Sequence, residues 1–316
     1  MRNTRTHRHR MTRLLVAAAC AAVAVSAASC GGGGGGSATA AKQPKGDIES
    51  QIGFDDAALR VREARIQNAI RDCMKAQGFD YVPIDPAAQF AAITGSGRLS
   101  DEDFTRQFGY GISTFWGRGG AQADPNAQYR RSLSAADRAA YDRTLYGENV
   151  GATVDEALDS GDFTKLGGCT RKATVAVFGG TQVLTQLQGK LDDLDERINA
   201  DQRMVRALEK WTRCMADAGY EYEEPDDIDG DLLRRMEKIV GPLPGKFATG
   251  PASGKPAPYD HAALAALQKD EVAIARADYA CERKYITPVE SVVRPEYEAR
   301  FRQQNRALFG QIKPVH

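Results

Sequence analysis

Histidine, cysteine, clustered carboxylates and an aromatic run are the residues in this 316-residue chain whose types and spacing could do chemistry. Outside the first 29 residues the histidines are His261 and the terminal His316. A Ser-His-Asp or Cys-His mechanism would have to use His261, beside a Pro-rich loop, and no His-x-x-x-His or His-Glu-x-x-His pair is present for zinc. Asp227, Asp229 and Asp231 have the one-three-five spacing of a calcium loop, but Leu232 stands where that loop needs Gly and Lys238 where it needs Glu. The plainer reading is an acidic start to a helix over 231–240, favoured by its dipole. Acids are numerous, yet no two are singled out as a general acid and base. The expectation is therefore no enzyme, no metal and no cofactor.

The segment 104–116 carries Phe104, Phe108, Tyr110, Phe115 and Trp116 among glycines. Such a segment builds either an adaptable recognition surface for a ligand, glycan or partner, or a local core closing the end of a bundle. Phe108, Tyr110, Phe115 and Trp116 are the candidate binding residues.

The elements that must position these groups read as helices. Leu59, Ile66, Ile70 and Cys73 fall at helical spacing. Leu184, Leu187, Leu191, Leu194, Ile198, Val205 and Leu208 form a heptad-like seam with a lapse at Asp201, which predicts one long helix from about 181 to 218, roughly 57 Å in length. It is expected to pack against helices near 55–77 and 262–284. Leu264, Leu267, Ile274 and Cys281 share a further stripe. Ser134 with Asp137, and Thr287 with Glu290, look like helix starts, and Pro295 is expected to kink or restart the last helix. The Pro- and Gly-rich stretch 241–258 reads as a loop.

Cys73, Cys169, Cys214 and Cys281 are even in number and lack a Cys-x-x-Cys pair, which points to disulfides rather than a zinc ribbon or redox site. Two of them sit in matching text: Cys73-Met74 followed by Gly78-Phe79 and Tyr81, and Cys214-Met215 followed by Gly219-Tyr220 and Tyr222. The other two match more briefly, as Cys169 with Arg171-Lys172 and Cys281 with Arg283-Lys284. This A-B-A-B order suggests an internal duplication. Each A motif reads as a helix C-terminus, with the glycine in the left-handed region and the aromatic folding back. Four cysteines allow three pairings, and a duplicated unit favours Cys73–Cys169 and Cys214–Cys281.

The N-terminus has five arginines within residues 2–13, an apolar run from Leu14 to Ala28, and Ala27-Ala28-Ser29 before Cys30. That is a secretory layout, and its apolar run is too short to span a bilayer. Without it the chain holds 37 basic and 42 acidic residues, a net charge of −5 that gives no general attraction for nucleic acid or acidic lipid. The small residues before Cys30 resemble the lipobox of bacterial lipoproteins, with Ala27 where Leu is usual, and imply lipidation at Cys30. The rival is plain cleavage and secretion; Cys20 has too little apolar core before it. Gly31–Gly36 and the small polar residues to Gly46 make a flexible tether of roughly 20–24 Å.

Phe108-Gly109-Tyr110-Gly111-Ile112-Ser113-Thr114, Leu145-Tyr146-Gly147, Gly167-Gly168-Cys169 and the paired Cys-Met-x-x-x-Gly-aromatic motifs resemble a group of secreted actinobacterial lipoproteins, across most of 55–290. The resemblance implies a location and not a mechanism. The expected organisation is a signal peptide over 1–29, a tether over 30–46, a first helical unit over 47–180 with the aromatic insert, and a second over 181–316 with the Pro/Gly-rich insert. The expected fold is mainly α, built from duplicated disulfide-stapled helical hairpins that share a long central helix. The expected role is a non-catalytic envelope protein, lipid-anchored on the outer face of the cytoplasmic membrane, that acts as a binding or scaffold module, with the membrane and an envelope protein as candidate partners. A ligand- or glycan-binding accessory to a transporter and a carboxylate-dependent cell-wall hydrolase are the alternatives. Nucleic acid is not an expected partner.

Overall fold

The computed structural model describes residues 48, 56–96, 99–118, 125–148, 166–178, 181–243 and 258–310. The expected signal peptide over 1–29, Cys30, the whole of the expected tether over 30–46, His316 and most of the stretch 241–258 lie outside them. All regular structure among the described residues is helical. None of these helices is long and apolar enough to cross a membrane.

The first core forms where α1 (Asp56–Ala76) packs on a later helix, α6 (Gly168–Phe178), with α5 (Ala135–Tyr146) against both. Ile66, Ile70 and Met74, four residues apart, place one buried stripe of α1 against Tyr141, Leu145, Cys169 and Ala173. Cys73 is bonded to Cys169 across this contact. At the end of α1 the amide of Gly78 donates to the Lys75 carbonyl and that of Phe79 to the Met74 carbonyl, both at 3.0 Å. This two-bond closure satisfies the last carbonyls, and Phe79 turns its ring edge to Tyr141 at 5.5 Å. α5 starts as expected, with the Asp137 amide donating to Ser134 Oγ at 3.1 Å.

Between them in sequence come α2 (Pro86–Thr94), α3 (Asp101–Phe108) and the short α4 (Ala127–Ser132). α3 does not join the first core. It packs on α10 (His261–Cys281), and Ile112 and Trp116 just beyond it enter the second core. The insert expected in the first unit is therefore seated in the second.

The second core gathers α7 (Thr181–Asn199), α8 (Gln202–Asp217), α9 (Asp226–Val240), α10, a π-turn (Glu282–Ile286) and α11 (Thr287–Gln304), with α12 (Arg306–Phe309) at the end. Cys214 on α8 is bonded to Cys281 at the end of α10. The second A motif closes α8 as the first closes α1: Gly219 donates to Ala216 and Tyr220 to Met215, both at 2.9 Å.

The long central helix is not formed. The chain breaks at Asp201, which leaves the helical region at ψ 132° and caps α8 by accepting the Arg203 amide at 2.8 Å. Arg203 also bonds both Asp201 and Glu296 through its guanidinium. The break re-phases the buried face. α7 buries Leu187, Leu191, Leu194 and Ile198, but α8 buries Met204, Ala207, Trp211 and Met215, leaving Val205 and Leu208 at the margin. α8 does meet α10, whereas α7 packs on α11, where Arg294 bridges Asp195 at 2.9 Å and Glu290 at 2.8 Å.

Nor does a capped helix restart at Thr287. The chain stays helical through the π-turn, and α11 runs through Pro295. Pro288 has no amide for the carbonyl four residues back and its ring crowds that carbonyl, and a locally widened turn accommodates both. α9 begins at Asp226, earlier than the acidic run implied.

Replacing Cys214 and Cys281 together with alanine frees a loop of 67 residues, which the loop-entropy relation values at about 4 kcal/mol. Urea unfolding of that variant is expected to show a loss of this order; an unchanged midpoint would contradict the staple's role. Burial, followed by the charge of Asp231, raises the Tyr222 phenol from 10.0 to about 12. The folded state therefore holds a proton that the unfolded chain gives up first, so this contribution to stability is intact below pH 10 and fades toward 12. Ultraviolet titration of Y222F against the parent should remove one late-titrating phenol.

Candidate functional site

Gly109 ends α3 at φ +64°, and the chain then folds around one carboxylate. Glu271 on α10 is 0% exposed. Its Oε1 accepts the amides of Tyr110 at 3.0 Å and Ile112 at 2.8 Å. Its Oε2 accepts the amide of Ser113 at 2.7 Å, the Ser113 hydroxyl at 2.5 Å and the amide of Thr114 at 3.2 Å. A side chain at Gly109 would put its Cβ 2.9 Å from Glu271 Cγ, so glycine is needed both for the dihedral and for the approach.

Two further polar groups on α10 extend this contact. Gln268 donates to the Ser113 carbonyl at 2.9 Å. Asp278, also buried, accepts the Tyr110 hydroxyl at 2.7 Å and the Trp211 indole N–H at 2.9 Å. Burial pushes the Glu271 carboxyl up from its ordinary value, while Ser113 and the amides of Ile112 and Tyr110 pull it back. With donors on both oxygens and no exposure, Glu271 is built to hold the loop and is closed to a substrate.

The expected binding aromatics are used in the same way. Phe108, Phe115 and Trp116 are buried, and Tyr110 is half-buried with its hydroxyl on Asp278. Phe104, Phe108 and Phe115 meet at centroid distances of 5.7–5.9 Å, and Phe90 stacks on Phe104. A recognition surface of Phe108, Tyr110, Phe115 and Trp116 is thus corrected to a local core, since their rings face inward. His261 is exposed at the first turn of α10, its ring 4.4 Å from that of Tyr259.

The three aspartates of the calcium reading diverge. They lie in the first turns of α9, where a two-residue step turns a side chain about 200°. Asp227 accepts the Glu224 amide at 3.1 Å, Asp229 is buried, and Asp231 meets Tyr222 and Arg235.

An open concave feature among the described residues lies elsewhere. Arg203, Arg206, Ala207 and Lys210 on α8 face Lys284 and Tyr285 of the π-turn and Pro288, Val289, Val292 and Val293 of α11 across a groove of about 440 Å³. That volume falls in the range of small-molecule sites. No acid lines it. Arg203 is engaged by Asp201 and Glu296, which neutralises its end of the groove. Arg206 and Lys210, one turn apart and exposed, pair with no acid among the described residues. Val292, at 57%, is the most exposed large apolar side chain among the described residues, ahead of Val82 and Val61. A second cavity, near Asp195, Asn199 and Asp226, is only about 70 Å³.

Compared with known protein families, curated proteins and solved structures, the chain matches none of them.

Sequence reasoning missed both the cradle and the groove. The signal for the cradle is present: Leu264, Leu267, Glu271, Ile274, Asp278 and Cys281 follow one seam in steps of three and four, with acids at two core positions. The groove has no local signal, since its walls come from α8 and from a π-turn 74 residues away at Lys284.

Glu271→Gln swaps an acceptor oxygen for an N–H₂ that must face amide donors. It should cost about 3 kcal/mol, more than Tyr110→Phe, which removes one bond to Asp278 and should cost about 1.5 kcal/mol. Urea unfolding of the two variants checks the order.

Proposed function

We propose that the chain is a non-catalytic, lipid-anchored binding module on the outer face of the cytoplasmic membrane, with the groove between α8 and α11 as its working surface. One observation carries the reading. Arg206 and Lys210, which meet no acid among the described residues, line the same concavity as Val292, the most exposed large apolar side chain there. Cations and apolar surface left uncovered together mark a place for a partner molecule. The arginine-rich start, the apolar run and Cys30 after small residues support export and anchoring. Glu271 and Asp278 hold the insert and are closed to a substrate, so these two do not serve as a hydrolase's carboxylate pair.

Two measurements test this. Cys30→Ala is expected to move the protein from the membrane fraction to the soluble exported fraction; unchanged partition would refute the anchor. A photoreactive benzoylphenylalanine placed at Val292 should form crosslinks in cells, while the same residue at Val82, which is 53% exposed away from the groove, should not. Equal labelling at the two positions would refute the groove as the working surface.

A further inference from the structure

We infer that the groove between α8 and α11 takes a single-chain anionic amphiphile, an alkyl chain with a carboxylate or phosphate head, held by Arg206, Lys210 and Lys284 at the head and by Pro288, Val289 and Val292 along the chain. The inference rests on the reading of this groove as the working surface and names its occupant.

Charge selects the head. The four charged side chains lining the groove are all cationic, and Arg203 is already compensated by Asp201 and Glu296. Arg206 and Lys210 stand one helical turn apart on α8, with Lys284 on the facing wall. An anionic head between them meets uncompensated positive charge from both sides, while a cationic head is repelled. Lys284 also lies 5.0 Å from the Tyr285 ring, which holds its ammonium at the wall.

Shape selects a single chain. Arg203 and Lys210 lie seven positions apart on α8, so the α8 wall of the groove is about 10 Å long. An amphipathic partner helix needs several turns of contact, and a specific protein interface needs about 1,000 Å² or more. A membrane-lying face would project large apolar side chains such as Trp, Phe or Leu. Here the apolar groups are small: Ala207 and Val293 are buried at the base, and Pro288, Val289 and Val292 line the side, flanked by Tyr285. That lining suits an alkyl chain laid along it.

The test uses the otherwise full-length Cys30→Ala protein in detergent-free buffer, by calorimetric titration below each probe's micelle concentration. Decanoate and decyl phosphate are the anionic probes, and the two distinguish a fatty-acid source from a phospholipid-like source. Decyl maltoside and decyltrimethylammonium are the neutral and cationic controls. Saturable binding of at least one anionic probe at one per chain is expected, with tenfold or weaker binding of both controls. The double variant Arg206→Glu, Lys210→Glu should lose tenfold or more for the anionic probe, and Val292→Asp should lose a similar amount. These side chains are exposed, and circular dichroism should show the folded helix content retained. Binding of neither anionic probe, equal binding of the neutral probe, or affinity unchanged by the charge reversal would overturn the inference. If no amphiphile binds while crosslinks at Val292 persist in cells, the occupant is wrong and the working surface stands. If the crosslinks vanish too, both fail.

Discussion

A carboxylate removed from water must be met by donors, and Glu271 is met by the backbone of residues 110–114. That requirement organises the molecule. Without the loop, Glu271 would be an uncompensated charge in an apolar seam; without Glu271, four buried or half-buried amides would lack their acceptor. Each half is tolerable only in the presence of the other. The contact also joins residues 157 to 161 positions apart, so it ties the insert after α3 to the second bundle. Asp278 adds a second tie two turns along the same helix, drawing Tyr110 and Trp211 together.

This lock decides which surfaces remain available. The aromatics around it are enclosed, and the most exposed large apolar side chains among the described residues, Val61, Val82 and Val292, lie away from it, with Val292 on α11 at the groove. There the two disulfide-linked helix pairs diverge beyond the B cysteine. After Cys169 the chain continues as plain α-helix, whereas after Cys281 it widens into the π-turn and carries Lys284 and Tyr285 to the wall of the groove.

Local chemistry was legible in the sequence, and long-range pairing of polar groups was not. The helix ends at Gly78 and Gly219 could be read because their hydrogen bonds close within six residues. The cap at Ser134 is local for the same reason. The pairing of Cys73 with Cys169 and of Cys214 with Cys281 followed from the repeated motifs. The break at Asp201 was visible only as a lapse, because the seam on either side continues at helical spacing. Its cause includes Glu296, 93 residues beyond the Arg203 it holds. The insert was assigned by sequence order to the first unit, since nothing local shows that amides at 110–114 seek a carboxylate at 271. The two acids in the α10 seam were the available clue, and a charge at a core position asks where its partner lies. For the binding site, the aromatic-and-glycine pattern describes a loop wrapped closely around something, and here that something is the protein's own glutamate.

The most direct test of this account is native-state hydrogen exchange at the amides of Ile112, Ser113 and Thr114. If Glu271 holds the loop as a buried lock, these three amides should exchange as slowly as the core of α10, with opening free energies near that of global unfolding. Exchange at the rate of an exposed glycine-rich loop would show that the insert is a free surface and contradict the central claim.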